Sequence, residues 1–314
     1  MSDHYLSRAV RAAVSGQSSP DGVAPRRRSL RIAAVIDIDW RQVCSQIALY
    51  FGAGLVAVVC GFPLLWMVLT SVRPDRDILT PTPKFWSFEY HWQHYRNLFD
   101  LTDFHIYFVN SITVAGSATL FTIFVATLAA YGITRFRFGG RNTIAAGMLF
   151  TYMFAPILII VPFYILMRSA GLVNSKLGLV FAYTTFSLPF SMWLLRAFFQ
   201  SIPLDLEEAA MTDGASRPKA VALVIVPLAL PGVIAVSIFT FIVAWNDYLF
   251  ARVLINDNEL KTLPIGMDDL YNATVTDWGM MMAGGVVITI PALIFFILVQ
   301  RYLIAGWGAG AVKG

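Results

Sequence analysis

The chain has 314 residues, of which 57% are apolar and 13% charged, about half the charged share of an ordinary soluble domain. Six windows contain no Asp, Glu, Lys or Arg: residues 42–72, 104–134, 142–167, 177–195, 220–246 and 278–300. Each approaches or exceeds the roughly 20 apolar residues that cross hydrocarbon as a helix, so the expected fold is an all-α membrane protein with six transmembrane helices. The same arithmetic excludes a soluble enzyme, a disulfide scaffold, a disordered tail protein and an outer-membrane barrel, whose strands would alternate over segments of about ten residues.

Residues 1–45 are polar and rich in Ser and Arg, and read as a disordered tail. The tail exceeds a signal n-region and the first window a signal h-region, which argues against a cleaved leader. Arg26, Arg27 and Arg28 serve orientation, with anionic head groups as an alternative partner. Residues 46–107 hold the first span and an outer segment. A continuous helix would separate Cys44 and Cys60 by about 24 Å, too far for a disulfide, so both read as small packing residues. The outer segment carries Phe85, Trp86, Phe88, Tyr90, Trp92, Tyr95, Phe99 and Phe104, rings suited to the water–lipid boundary. Within it Tyr90 to Asp100 is expected to form a short surface helix. Of the four histidines, His4, His91, His94 and His105, the pair His91 and His94 has helical spacing but no third ligand nearby, which disfavours a metal site.

With an even number of spans both termini share one side, and the loops on that side hold 15 of the 23 basic residues. The positive-inside rule then makes both termini cytoplasmic. The turn with Arg135, Arg137 and Arg141 carries the strongest local bias and reads as a topology anchor. Spans three and four, joined by about eight residues, are expected to form a tight antiparallel hairpin.

The long loop 200–226 departs from the rest in composition. Pro203 suits a first helical turn, Asp205, Glu207 and Glu208 favour the positive end of the helix dipole, and Gly214 supplies a left-handed stop. Ser216 is positioned to cap a second helix with Pro218 in its first turn, running until Pro227 redirects the chain. Leu206, Ala209 and Ala210, at i, i+3 and i+4, give a narrow apolar face beside an acidic one. Such a helix fits a groove on a partner protein, with its carboxylates reaching basic residues at the rim. A solvated helix lying on the membrane surface fits the composition equally well.

Glu208-Ala209-Ala210, three residues, Gly214, nine residues and Val224-Ile-Val-Pro227 resemble the EAA loop of bacterial ABC-importer permeases, with Val224 and Val226 as conservative departures. From Tyr107 onward the chain is similar to permeases of carbohydrate-uptake importers, especially the smaller permease of maltose-type systems. Phe108-Val-Asn-Ser-Ile112, Trp245-Asn-Asp-Tyr-Leu-Phe250, Thr276-Asp-Trp-Gly279 and Ala309-Gly-Ala-Val-Lys-Gly314 carry that similarity. The resemblance implies a type I ABC importer permease fold over residues 108–302, with residues 303–314 as a cytoplasmic tail. It implies an import subunit with a second unlike permease, two copies of an ATPase subunit and an extracytoplasmic substrate-binding protein. ATP and Mg would sit on the ATPase, and this chain would bind no cofactor. Coupling would fall to Leu204, Leu206, Glu207, Glu208, Ala209, Ala210, Asp213 and Gly214. The outer loop 256–278 would touch the binding protein through Met267, Asp268, Asp269 and Asp277, and the tail from Gly308 to Gly314 would enter the crevice between the ATPases.

The sequence contains no phosphate-binding loop, H-E-x-x-H pattern or G-x-S-x-G elbow, so no residue is assigned to catalysis or to a metal. Nothing points to nucleic acid. Trp245, Asn246 and Asp247 are the candidates for the substrate pathway, since polar side chains at membrane depth normally face a cavity or a partner. For Asp247 the competing assignment is a helix-end or interhelical hydrogen bond. A sugar or oligosaccharide is the expected cargo, with a polyol or phosphate ester as the alternative. An ion-coupled secondary transporter would need mid-membrane coupling carboxylates or an inverted repeat, neither of which is evident.

Overall fold

The computed structural model describes residues 40–80, 89–273 and 276–310, and among them every regular element is helical. It comprises two units, Met1–Ala57 and Val58–Gly314. Residues 1–39 of the expected tail and Phe85, Trp86 and Phe88 lie outside the described residues, as do residues 311–314, whereas residues 40–45 begin the first helix. Among the described residues four helices are long and apolar enough to cross a membrane: α1 (Trp40–Ser71), α4 (Phe104–Arg135), α7 (Lys176–Ser201) and α14 (Trp278–Gly310). Between α1 and α4 lie α2 (Asp75–Ile78) and α3 (Gln93–Asp100), the latter inside the stretch expected to form a surface helix. Cys44 and Cys60 are free, but exposed rather than packed.

The third and fifth charge-free windows are not straight spans. The third divides into α5 (Arg141–Tyr152) and α6 (Pro156–Ser169), bent by 103°. Pro156 opens α6, and Ala155 before it is extended at ψ 129°, as a residue preceding proline prefers. The expected hairpin is accordingly altered, because α7 packs more extensively on α5 than on α6. The fifth window begins in α9 (Arg217–Ala220), passes through a π turn (Val221–Ile225) and α10 (Val226–Leu228), and bends by 79° into α11 (Leu230–Asn246). The chain thus runs helically past Pro227 and turns at Ala229, two residues beyond the expected break. A π turn just ahead of the proline is a common way to relieve the missing ladder bond. If each bent pair counts as one span, the total is six.

The centre of the second unit is α4 against α7. Every fourth residue of α4 from Asn110 to Ala130 is buried: Asn110, Val114, Ala118, Thr122, Ala126 and Ala130. Small side chains at this spacing let two helices approach closely in lipid, where dispersion and buried hydroxyls replace the hydrophobic effect. One such contact joins Thr122 to Thr184 across 3.3 Å. Phe104 belongs to this core at 1% exposure, not to the boundary layer, whereas Tyr90 and Trp92 are exposed.

Candidate functional site

Helix α8 (Leu204–Thr212) follows α7 through Ile202 and Pro203, both extended in ψ. It ends as expected at Gly214, whose φ of +89° is left-handed. The Ala215 amide donates to Ala210 O and the Gly214 amide to Met211 O, closing orphan carbonyls of the last turn. Ser216 precedes α9, but its side chain makes no capping bond.

The orientation of α8 is set by one side chain. Glu207 is 4% exposed, and its carboxylate accepts a hydrogen bond from the Tyr131 hydroxyl. Its other oxygen lies 3.1 Å from Arg135 Nε, an ion pair whose angle falls short of a hydrogen bond. Arg135 also donates from Nη2 to Ile202 O at 3.1 Å, so one guanidinium holds both the entry to α8 and its first turn. Glu207 therefore points into this chain and not toward a partner's basic rim. The Arg135 side chain, in the turn read from the sequence as a topology anchor, is buried in this ion pair.

With Glu207 inward, the opposite face of α8 is open. Leu204 and Leu206 are 48% and 44% exposed, and Glu208, Ala209, Asp213 and Gly214 are also exposed, while Ala210 is half-buried. Leu204 and Leu206 thus form an exposed apolar strip beside the exposed carboxylate of Glu208.

At the opposite end of α4 a different arrangement holds the outer loop. Asn110 Nδ2 donates to Glu259 O and to Lys261 O, both at 2.8 Å. Ser111 Oγ accepts from the Leu263 amide at 2.8 Å. These bonds dock α13 (Leu263–Tyr271) against α4. The candidates for binding-protein contact are largely engaged within the chain. Met267 packs against Gly284, Asp268 accepts from Tyr248 at 2.9 Å, and Asp269 pairs with Lys261 and Arg252. Asp277 Oδ1 accepts from the Met280 amide at 2.8 Å and starts α14. The hydrogen bond from Tyr248 to Asp268 holds the exposed phenol above its ordinary pKa.

The three pathway candidates separate. Trp245 is 2% exposed, stacked on Phe241 at 5.5 Å and met edge-on by Phe108 at 6.2 Å. Its indole donates to Ile288 O at 3.3 Å, so the ring is a core element with no free face for a sugar. Asp247 Oδ2 accepts from the amides of Phe250 and Ala251 at 3.1 Å and thereby begins α12 (Leu249–Leu254), the helix-end alternative. Asn246 is exposed but bonds Ile242 O of its own helix. A cleft of about 550 Å³ lies instead at the α5–α6 bend, walled by Tyr152, Phe154, Phe163, Phe186 and Phe239. Pro156 after Tyr152-Met153-Phe154 was the available signal for this cleft. For the Glu207 pair no local signal existed, because Arg135 lies far back in the sequence.

Residues 118–307 match the family described as binding-protein-dependent transport system inner membrane component. The inner membrane ABC transporter permease protein YcjP of Escherichia coli is 34% identical over 276 residues, covering 87% of this chain and 99% of that protein. The trehalose/maltose transport system permease protein MalG of Thermococcus litoralis is 36% identical over 277 residues, with coverage of 87% and 99%. Among solved structures, a chain of a bacterial ABC transporter involved in import of the acidic polysaccharide alginate superposes with a TM-score of 0.73. It is 21% identical and covers 83% of this chain and 97% of that one, a likeness of fold.

Proposed function

The chain belongs to the family of inner membrane components of binding-protein-dependent transport systems, and we infer from this premise that it forms half of the pathway of an ATP-driven importer for a sugar or oligosaccharide. The observation that carries the coupling assignment is α8, fixed to the end of α4 by Glu207 and Arg135 while Leu204, Leu206, Glu208 and Ala209 remain open. In this reading the chain makes six crossings with both termini cytoplasmic, each bent pair being one crossing, and α8 faces an ATPase subunit. Two such ATPases carry ATP and Mg, a second unlike permease completes the pathway, and an extracytoplasmic binding protein delivers the cargo. Trehalose and maltose in the name of one relative favour a carbohydrate.

Nucleotide closes the ATPases, α8 transmits their movement through the Arg135 clamp to α4, and the spans alternate between inward and outward access. The work derives from different nucleotide affinities of the two states. The aromatic cleft at the α5–α6 bend serves as this chain's part of the pathway, where flat rings suit sugar faces. The test is sugar-stimulated ATP hydrolysis by the reconstituted complex carrying Gly214→Pro. Proline cannot take a φ of +89° and deletes the Gly214 donor, so stimulation is expected to fall at least tenfold while the chain still inserts. Normal stimulation would overturn the coupling role, and a binding protein that takes only polyols or phosphate esters would overturn the cargo.

A further inference from the structure

Helices α2, α3 and α14 converge near the start of α4, at the end of that helix remote from α8, and bring together Asp75, His94 and Asp277. One donor atom from each lies within 4.8 Å of the others. His94 is 3% exposed, with Nε2 2.8 Å from Arg73 O. That carbonyl can only accept, so Nε2 carries a proton and, in the neutral ring, Nδ1 presents a lone pair. Nδ1 has no hydrogen-bond partner and faces Asp277 Oδ1 at 3.6 Å. In the neutral ring that lone pair, aimed at a carboxylate, is repulsive and unsatisfied, and a metal cation between the two groups would satisfy both.

We propose that Asp75, His94 and Asp277 form a binding site for a divalent transition-metal ion of the zinc type. Two ligands about 2.0–2.1 Å from one zinc at near-tetrahedral angles stand roughly 3.4 Å apart, close to the 3.6 Å between Nδ1 and Asp277 Oδ1. The bond from Nε2–H to Arg73 O is the outer-shell contact that metal-bound histidines normally make to fix their tautomer. Asp75 Oδ1 stands 3.6 Å from Nε2, at the other edge of the ring; its side chain, 77% exposed, would have to turn toward Nδ1 to reach the ion, and its charge with that of Asp277 neutralises a dication. Mixed imidazole and carboxylate donors suit zinc or manganese better than calcium or copper(I). A cleft of about 210 Å³ lined by Asp75, Thr276, Asp277 and Gly279 leaves room for water ligands. Gly279 is required because a Cβ there would stand 2.1 Å from the His94 ring. The bound ion joins the first outer segment to the base of the last span.

The test uses the full chain in detergent, without a polyhistidine tag, stripped with a chelator and titrated with Zn²⁺ and with Co²⁺. One Zn²⁺ per chain is expected by elemental analysis, together with a raised melting temperature and Co²⁺ d–d absorption of a low-coordinate N/O site. Asp277→Asn keeps an oxygen for the Met280 amide, so it should fold yet bind Zn²⁺ more weakly by at least the roughly 10–100-fold that loss of an outer-shell partner costs. Asp75→Asn, at an exposed position, should weaken binding in the same direction. His91→Gln, which alters a histidine outside the cluster, should leave the affinity unchanged. Failure of the stripped chain to retain a stoichiometric ion, or equal affinity in the Asp75→Asn/Asp277→Asn double variant, would overturn the site. A melting temperature that follows pH and ignores Zn²⁺ would replace the ion with a protonated His94 between two carboxylates.

Discussion

The two ends of α4 are both tied to a neighbouring loop, but by different physics. At one end a buried ion pair between Arg135 and Glu207, with the Tyr131 hydroxyl, holds a helix whose outer face is open. At the other end neutral side chains, Asn110 and Ser111, hold backbone groups of a loop in which Asp257, Asp268, Asp269 and Asp277 already have partners. A 32-residue helix is about 48 Å long at 1.5 Å per residue, enough to carry motion from one end to the other as a rigid rod. At the charged end the buried ion pair fixes the direction of α8 while leaving its far face free, which is what the proposed coupling role requires. The neutral end is built to keep its loop in place.

Arg135→Ala should break this contrast most severely, because it strands the Glu207 carboxylate in a site that excludes water. Loss of one partner of a buried pair costs about 3–5 kcal/mol. The expected result is a lower melting temperature and protease cleavage within residues 200–216, with partial recovery in Arg135→Lys. Asn110→Ala leaves two loop carbonyls without their donor and should cost about 1–3 kcal/mol. Its cleavage should appear in residues 256–273, with the 200–216 loop unaffected, so the two variants give opposite proteolysis maps. Gly214→Ala meets nothing within 4 Å, and its penalty is the backbone term alone, about 1–2 kcal/mol for a left-handed residue. Tyr131→Phe removes a hydroxyl but leaves the Arg135 contact, and should be milder than Arg135→Ala in both melting temperature and coupled ATP hydrolysis.

The apolar windows and the Gly214 stop were legible in the sequence because each depends on residues close together in the chain. The bends were not, since a window free of charge says nothing about helical continuity. Pro63, Pro189 and Pro291 lie inside unbroken helices, so proline alone does not mark a break. Pro156 does, because Ala155 before it is extended. The acidic run in α8 showed three carboxylates without showing which one turns inward, a choice made by Arg135, 72 positions before Glu207. Trp245 followed the same rule, since its partners Phe108 and Ile288 come from other helices. Asn110 and Ser111 stood within a recognised motif, yet their purpose became visible only with Glu259, Lys261 and Leu263 beside them.

The most direct test of α8 as the coupling element is cross-linking from Ala209→Cys, on its exposed face, in a chain whose two native cysteines, Cys44 and Cys60, are replaced by serine. In native membranes a short bifunctional reagent should join this position to an ATPase subunit, with a yield that changes when nucleotide is added. A complex that contains the ATPase but never cross-links to it from residue 209 would contradict the account.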